Sequence, residues 1–181
     1  MTASEPDLLF EPLDPARHDR AVFSCGVAQI DNFLQRTAGK LALAGNSRVF
    51  VLARGNQIIG FYALNAHAID YRELPARFAR TRPGHGSIPV AYLSMIGVDR
   101  RYAGRGYGRG LLVNALRRIA MAADAIGVAM AILDVLDDGN AELVVRRKAL
   151  YAGFGFEPLP ANPLRLILPV DAIRSILKEL G

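Results

Sequence analysis

The 181-residue sequence predicts a single α/β domain, built as a mixed sandwich of helices and a sheet. Two apolar runs, Arg48 to Ala53 and Ile58 to Ala66, flank a short polar turn, as in an antiparallel hairpin. Further along, the strand pattern Val90 to Val98 leads through a glycine-rich turn into the helical pattern Leu111 to Ile126. Because another strand pattern follows that helix, the order predicts a strand–helix–strand unit with a right-handed crossover.

The spacing of apolar residues and the positions of glycines predict the other elements. A helix starting at Gln29 carries apolar residues at helical intervals and ends at Gly45, and Gly127 is the expected stop of the Leu111 helix. The remaining predicted elements are a strand end and loop over Pro12–Ala28, a helical turn with a mobile loop over Tyr71–Pro89, a strand over Val128–Val135, a helix over Asp137–Ala152 capped by Asp137 or Asp138, a strand over Leu164–Pro169 and a helix over Asp171–Leu180.

Composition sets broad limits on location and class. Hydrophobic residues make up 51% of the chain, yet no apolar run approaches the ~18 residues of a membrane span. The segment Met1 to Asp14 carries acidic residues and no basic ones, the wrong sign for a secretory or transit peptide. Cys25 is the single cysteine, which excludes an internal disulfide and a cysteine metal cluster. A cytoplasmic protein without a metal site is therefore expected.

The net charge of +5 favours anionic partners, which include a nucleotide cofactor, RNA and an acidic protein. The charge alone does not choose among them, and basic side chains also keep a surface solvated. Two groups of basic residues could contact RNA phosphates or simply face solvent. They are Arg72, Arg77, Arg80 and Arg82 in one loop, and Arg146, Arg147 and Lys148 in one helix.

The sequence indicates a ligand-binding site most clearly at the turn Ala103–Gly108. Its glycines permit positive φ and close approach of a ligand, and the following helix offers unpaired N–H groups and the positive end of its dipole. These features predict an anion site. A P-loop would need Gly-Lys-Ser/Thr, which is absent, and the spacing Gly104-x-Gly106-x-x-Arg109 does not fit a dinucleotide-binding fold. A glycine-rich connection without a ligand is the remaining alternative.

The segment Val98–Gly108 resembles the end of strand four and the pyrophosphate loop of GNAT acetyltransferases, with Ala103 where the motif usually has Gln or Arg. Tyr151–Phe156 resembles the Tyr-x-x-x-Gly-Phe signature of the same family. The resemblance implies an α-β-α sandwich around a mostly antiparallel sheet splayed between strands four and five, with acetyl-CoA as cosubstrate. The residues implied to bind it are Ile96, Gly97, Val98, Ala103, Gly104, Arg105, Gly106, Tyr107, Gly108 and Arg109.

A narrower similarity covers Phe23–Leu34, Ser47–Val51, Gly60–Leu64 and Gly155–Pro158, which resemble GNAT-type toxins that acetylate the amine of aminoacyl-tRNA. Met95 departs from that group, which often carries Arg there. The resemblance implies a ribbon-helix-helix antitoxin partner, a cytoplasmic location and a homodimer. Two alternatives stay open: a GNAT enzyme acting on a protein or small-molecule amine, and a CoA- or antitoxin-binding regulator with little catalysis.

The same resemblance implies roles in acyl transfer. Tyr151 would protonate the departing thiolate, and a backbone N–H near Ile96–Val98 would stabilise the oxyanion, with Gly97 letting the pantetheine arm approach. No general base stands out. His67 and His85 are left without a role, and Asp134 could accept a proton from the amine through water. Cys25 is interpreted as a packing residue because no base lies near it in the sequence.

Overall fold

A computed structural model describes residues 7–81 and 84–181. The strands are β1 (Leu8–Pro12), β2 (Arg48–Arg54), β3 (Gln57–Asp70), β4 (Ser87–Val98), β5 (Met130–Asp134), β6 (Glu157–Leu159) and β7 (Asn162–Pro169). The helices are α1 (Ala28–Asn32), α2 (Ala38–Leu43), α3 (Tyr107–Ala125), α4 (Ala141–Ala152) and α5 (Val170–Leu180). None of the helices described is long and apolar enough to cross a bilayer.

The strands form one sheet in the order β1-β2-β3-β4-β5-β7-β6. Neighbours β1–β2, β2–β3, β5–β7 and β6–β7 are antiparallel, whereas β4 and β5 are parallel. The β4–β5 ladder joins only Val90–Tyr92 to Met130–Ile132, although β4 continues to Val98 and β5 to Asp134. The predicted mixed sheet, which opens between strands four and five, is therefore confirmed.

The chain divides into two compact units, each with an apolar core. One unit comprises the residues up to Asn65 together with Ser94–Ala115, and the other comprises Ala66–Leu93 and Leu116–Gly181. The first core is built from Leu13, Phe23, Leu34, Ala38, Val49, Val51, Ala53, Ile58, Phe61 and Ala63. The second is built from Ile69, Leu74, Ile88, Val90, Met130, Ile132, Leu159 and Ile167. That the whole chain acts as one domain stays a prediction.

Two predicted helix starts are wrong. Helix α3 begins at Tyr107 rather than Leu111, because Gly110 N–H already donates to the carbonyl of Gly106 and so continues the helix through the glycines. Helix α4 begins at Ala141, and its cap is Asn140, whose side chain accepts from Leu143 N–H. Asp138 is instead paired with Arg147.

The predicted helix over 29–44 is divided by a π-helical stretch, Phe33–Thr37, between α1 and α2. In this stretch Leu34 is fully buried, and the Gln35 amide donates to the carbonyl of Phe23 at 2.8 Å. Short 3-10 turns over Tyr71–Glu73 and Ala76–Thr81 lie in the predicted loop region, and β4 already begins at Ser87.

Candidate active site

The glycine turn has the backbone conformation that an anion site requires. Gly104 and Gly106 have φ of 74° and 82°, in the left-handed region that favours glycine. A Cβ added at either would meet nothing within 4 Å, and both residues are exposed. Helix α3 starts directly after them and is 19 residues long, and its first N–H groups have no intrahelical acceptor. The turn therefore fits a phosphate group.

Arg101 bears on how the turn matches the family motif. Its guanidinium donates to both carboxylate oxygens of Asp99, at 2.8 Å and 2.9 Å, and is committed to this ion pair. Arg101 is therefore poorly suited to be the arginine of the loop motif, which favours the alignment that places Ala103 there. Ala103 is exposed, its N–H donates to the Arg100 carbonyl, and it offers the phosphates no side-chain donor.

Positive charge lies on the turn and on the first turn of α3. The Arg105 guanidinium lies 5.5 Å from the centre of the Tyr102 ring, and Arg105 forms no salt bridge with any described residue. Tyr102 also makes an edge-to-face contact with Tyr107, at 6.5 Å between ring centres. Arg109, the third residue of α3, is exposed. This charge adds to the helix dipole and suits a pyrophosphate.

The end of β4 is half-buried at Ile96, Gly97 and Val98. A Cβ on Gly97 would lie 2.9 Å from Ile30 Cγ2 and 3.6 Å from Phe61 Cε1. Packing against Ile30 is thus reason enough for glycine at this position. The approach of a pantetheine arm at Gly97 stays a prediction.

Tyr151, the predicted proton donor, lies in the last turn of α4 and is 9% exposed. Its ring makes an edge-to-face contact with Phe156, at 5.8 Å between ring centres. Its hydroxyl has no hydrogen-bond partner within residues 7–81 and 84–181. Burial raises the pKa of Tyr151 to about 12. The phenol is therefore protonated at neutral pH and has a proton to donate.

Asp134 is a poor candidate for a base. Both its oxygens accept from Arg165, at 2.7 Å and 2.8 Å, and Oδ2 also accepts from the Tyr92 hydroxyl. The Arg165 guanidinium, followed by the Tyr92 hydroxyl, holds the pKa of Asp134 below its usual range despite partial burial. His67 lies 5.6 Å from the Tyr92 ring, and His85 Nδ1 accepts from Ser87 N–H.

Cys25 is equally unsuited to carry an acyl group. Burial, followed by a hydrogen bond with Asp31, raises the pKa of its thiol to about 12, and only the thiolate is an effective nucleophile. The packing role predicted for Cys25 agrees with its contact to the first core. Among the described residues, no group of three or more His, Cys, Asp or Glu could hold a metal ion.

Several of the basic residues that could contact RNA are engaged within the chain. Arg72 pairs with Asp70, Arg77 with Glu157 and Arg147 with Asp138. The exposed Arg80 and Arg146 and the half-buried Lys148 have no salt bridge in the described part of the chain. Arg82 lies outside the described residues.

Sequence reasoning missed Asp99. The carboxylate at this position is 1% exposed and binds the residues that lead into the glycine turn. The available signal was an acid directly after the apolar strand pattern Val90–Val98, since an acid that is buried at such a position is usually paired.

Comparison with known proteins places the chain in a family. A family model described as an acetyltransferase (GNAT) domain matches residues 45–158. A relative named "Probable toxin TacT", from Sinorhizobium fredii, is 57% identical over 171 residues, covering 93% of this chain and 94% of its own length. The "tRNA-acetylating toxin" of Mycobacterium tuberculosis is 35% identical over 161 residues, covering 89% of this chain and 92% of its own length.

Solved structures of the toxin AtaT have the same fold. AtaT complexed with acetyl-methionyl-tRNAfMet matches with a TM-score of 0.82 at 24% identity, over 94% of this chain and 99% of that chain. A mutant AtaT bound to the C-terminus of the antitoxin AtaR and acetyl-CoA matches with a TM-score of 0.77 at 23% identity, over 95% and 99%. At these identities the similarity establishes the fold and nothing further.

The family model covers more than half of the chain, and the relatives cover nearly all of it. The predicted fold, the enzyme class of acetyl-CoA-dependent N-acetyltransferase and the resemblance to the toxin group are confirmed. The chain belongs to the GNAT acetyltransferase family.

Proposed function

We propose that this acetyltransferase moves the acetyl group of acetyl-CoA to the α-amine of aminoacyl-tRNA and acts as the toxin of a toxin–antitoxin pair. The observation that carries the proposal is the 35% identity, over 89% of the chain, to a protein named a tRNA-acetylating toxin. The 57% identical relative, whose name also describes a toxin, supports the same role.

The glycine turn binds the donor in this proposal. The N–H groups from Gly104 to Gly108, which follow Ala103, receive the pyrophosphate of acetyl-CoA, and Arg105 and Arg109 add positive charge. The open left-handed glycines and the start of α3 support this role. A backbone N–H of Ile96, Gly97 or Val98 stabilises the oxyanion that forms on the acetyl carbonyl.

Tyr151 completes the transfer as a general acid. The neutral amine attacks the thioester carbonyl, the N–C bond forms, and the C–S bond breaks as Tyr151 protonates the leaving sulfur. The proton that the new amide nitrogen loses passes to water. The reprotonation of Tyr151 from solvent restores the enzyme. The hydroxyl is protonated at neutral pH and has no hydrogen-bond partner among the described residues, which supports this assignment.

An aminoacyl-tRNA acceptor fits an enzyme without an assigned base. An α-amine has a reference pKa of about 8, so on the order of a tenth of it is neutral at pH 7 without any base. Asp134, the carboxylate considered for this task, is already held by Arg165 and Tyr92. The net charge of +5 favours a polyanion such as tRNA.

The assembly around the enzyme belongs to the same proposal. The toxin acts in the cytoplasm as a homodimer of single-domain chains, and a ribbon-helix-helix antitoxin inhibits it. The toxin AtaT, which has this fold, has been solved with the C-terminus of its antitoxin AtaR.

The decisive experiment offers the protein acetyl-CoA and charged bulk tRNA, followed by mild hydrolysis and mass spectrometry of the released amino acids. We expect N-acetylated amino acids, and none from reactions without acetyl-CoA or with unacylated tRNA to which free amino acids are added. Absence of any N-acetyl-aminoacyl product would contradict the proposal. Acetylation of an added protein or small amine in that case would support the alternative acceptor.

A further inference from the structure

Asp99 is a buried carboxylate at the point where β4 ends and the chain turns toward the glycines. It is 1% exposed. One oxygen accepts from the N–H and Nε of Arg101, at 3.0 Å and 2.8 Å. The other accepts from Arg101 Nη2 at 2.9 Å and from Ser24 N–H at 3.1 Å. A buried charge is tolerated when it is bound in this way.

These hydrogen bonds fasten the entry of the turn to a second segment of chain. Arg100 N–H donates to the Ser24 carbonyl at 2.9 Å, so both the N–H and the carbonyl of Ser24 are hydrogen-bonded to residues at this strand end. Ser24 is itself held by Asp31, which accepts from the Ser24 hydroxyl at 3.1 Å and from Cys25 N–H at 2.7 Å. The backbone that leads into the turn is thereby fixed from outside it.

The turn itself has few such supports. Beyond Ala103, the side-chain directions of Gly104 and Gly106 are open. The side chains of Arg101 and Tyr102 connect Asp99 to Arg105, the charged residue of the turn. Arg101 lies 5.7 Å from the centre of the Tyr102 ring, and Arg105 lies 5.5 Å from the same ring.

We propose that Asp99 is a positioning residue for donor binding, which holds the entry of the glycine turn and, through Arg101 and Tyr102, the orientation of Arg105. Ala103 gives the phosphates no side-chain donor, so affinity for them depends on how well the backbone of the turn is preorganised. The inference rests on the acetyl transfer of the proposed function. Burial acts to raise the pKa of Asp99, but Arg101 and Ser24 hold it below its usual range, so the anchor is charged at neutral pH.

A comparison of two donors separates positioning from general stability. The Asp99→Asn variant retains the size of the side chain and loses its charge. We compare kcat/KM for acetyl-CoA with that for S-acetylpantetheine, which lacks the pyrophosphate and the nucleotide, using charged tRNA as acceptor. The preference for acetyl-CoA is expected to fall about ten- to a hundredfold, with S-acetylpantetheine turnover retained. An equal loss with both donors would mean that Asp99 is only structural and would overturn the inference.

Asp31→Ala is the matched control, because it loosens Ser24 and Cys25 without touching the turn. The donor preference of this variant is expected to stay within about twofold of wild type, since backbone groups of the turn keep their partners. A fall as large as that of Asp99→Asn would assign the effect to the Ser24 segment and overturn the inference.

Two further measurements keep the test decisive. If Asp99→Asn does not fold, as judged by circular dichroism, Arg101→Gln replaces a half-exposed partner of Asp99. Its donor preference should fall severalfold, and an unchanged preference would refute the positioning role. If wild type acetylates no charged tRNA, the proposed function fails by itself, and calorimetry of CoA binding still decides. Weaker CoA binding in Asp99→Asn than in wild type supports the inference, and equal binding overturns it.

Discussion

The Tyr92 hydroxyl donates a 2.8 Å hydrogen bond to Oδ2 of Asp134, and the same carboxylate accepts two hydrogen bonds from Arg165. Tyr92 is the last residue of β4 in the β4–β5 ladder, and Asp134 ends β5. The bond therefore ties the two parallel strands at the point where their backbone pairing stops. Asp134 is occupied by this structural task, which explains why it is not free to act as a base.

Replacing Tyr92 by Phe removes this bond and leaves the Arg165 pair intact. Because both groups are partly exposed, we expect a loss of about 1 kcal/mol in the free energy of unfolding, measured with urea at pH 7. Arg165 and Tyr92 lower the pKa of Asp134. The contribution of the ionised Asp134 carboxylate to folding stability is thus present above its unfolded pKa of about 3.9, and it is lost as pH falls through the folded pKa.

The cost of Tyr92→Phe should accordingly be smaller near pH 3 than at pH 7. Tyr102→Phe is the matched control, since none of the described residues is hydrogen-bonded to its hydroxyl. Equal stability of Tyr92→Phe and wild type at pH 7 would show that the bond contributes nothing.

Gly97 and Ile30 provide a second prediction. A methyl group at Gly97 would lie 2.9 Å from Ile30 Cγ2, so Gly97→Ala should cost about 1–3 kcal/mol through overpacking. Ile30→Ala should also destabilise, because a cavity is left, but it removes the Cγ2 atom with which the methyl group at position 97 would clash. The double mutant should be more stable than the sum of the single changes predicts, by about 0.5–3 kcal/mol. Strict additivity in urea unfolding would contradict the contact.

Local patterns explain what the sequence could predict. The hairpin of β2 and β3 and the parallel pair around α3 follow from apolar runs separated by turn residues. The left-handed glycines directly before α3 follow from a glycine-rich turn at a helix start. In each case residues close in sequence decide the structure, so spacing is enough to find it.

Contacts between distant residues decide the rest. Asp137, Asp138 and Asn140 are all good caps, and Arg147, which binds Asp138, helps to leave Asn140 as the one that caps α4. The role of Asp99 depends on Ser24, which is separated from it by 75 positions. The π-helical turn after α1 could not be predicted either, because the apolar residues of this segment have the spacing of an ordinary α-helix.

The glycines of the turn differ in what they tolerate. Gly106 has φ of 82°, so Gly106→Ala should cost about 1–2 kcal/mol of stability and weaken CoA binding by distorting the turn. Gly108 lies in the first turn of α3, where a Cβ meets only Val98 Cγ2 at 3.8 Å. Gly108→Ala should therefore be neutral or stabilise by up to about 1 kcal/mol. Thermal unfolding and CoA calorimetry measure both effects, and an undiminished stability of Gly106→Ala would refute the left-handed turn.

Cys25 should be dispensable for acetyl transfer. With its pKa raised to about 12, the thiol is almost wholly protonated at pH 8, and alkylation by iodoacetamide should be much slower than for free cysteine. Cys25→Ala is expected to retain kcat within about twofold. The reaction does not use the thiol, so the substitution removes only a packing contact. A stable acetyl-thioester on Cys25, detected by mass spectrometry after reaction with acetyl-CoA, would reverse this conclusion.

Tyr151→Phe tests the proposed general acid most directly. The change removes a hydroxyl with no hydrogen-bond partner among the described residues, so the free energy of unfolding should change by less than about 1 kcal/mol. CoA affinity should be unaffected, while kcat should fall by about 10²–10⁴-fold, the usual contribution of a positioned acid. Tyr92→Phe, which removes another tyrosine hydroxyl outside the proposed machinery, should retain turnover. Near-wild-type kcat in Tyr151→Phe would assign this tyrosine to the core alone.

The pH dependence of activity is an independent test of Tyr151 as the proton donor. Burial raises the pKa of Tyr151 to about 12, above the value of about 10 in the unfolded chain. The acid form therefore persists through pH 10, and kcat/KM should rise as the acceptor amine loses its proton near pH 8 and then stay level. Because the folded state holds this proton more tightly, Tyr151 leaves stability unchanged below pH 10 and lowers it only above. A decline of activity between pH 8 and pH 10, with the protein still folded, would mean that the donor has an ordinary or lowered pKa and is not Tyr151.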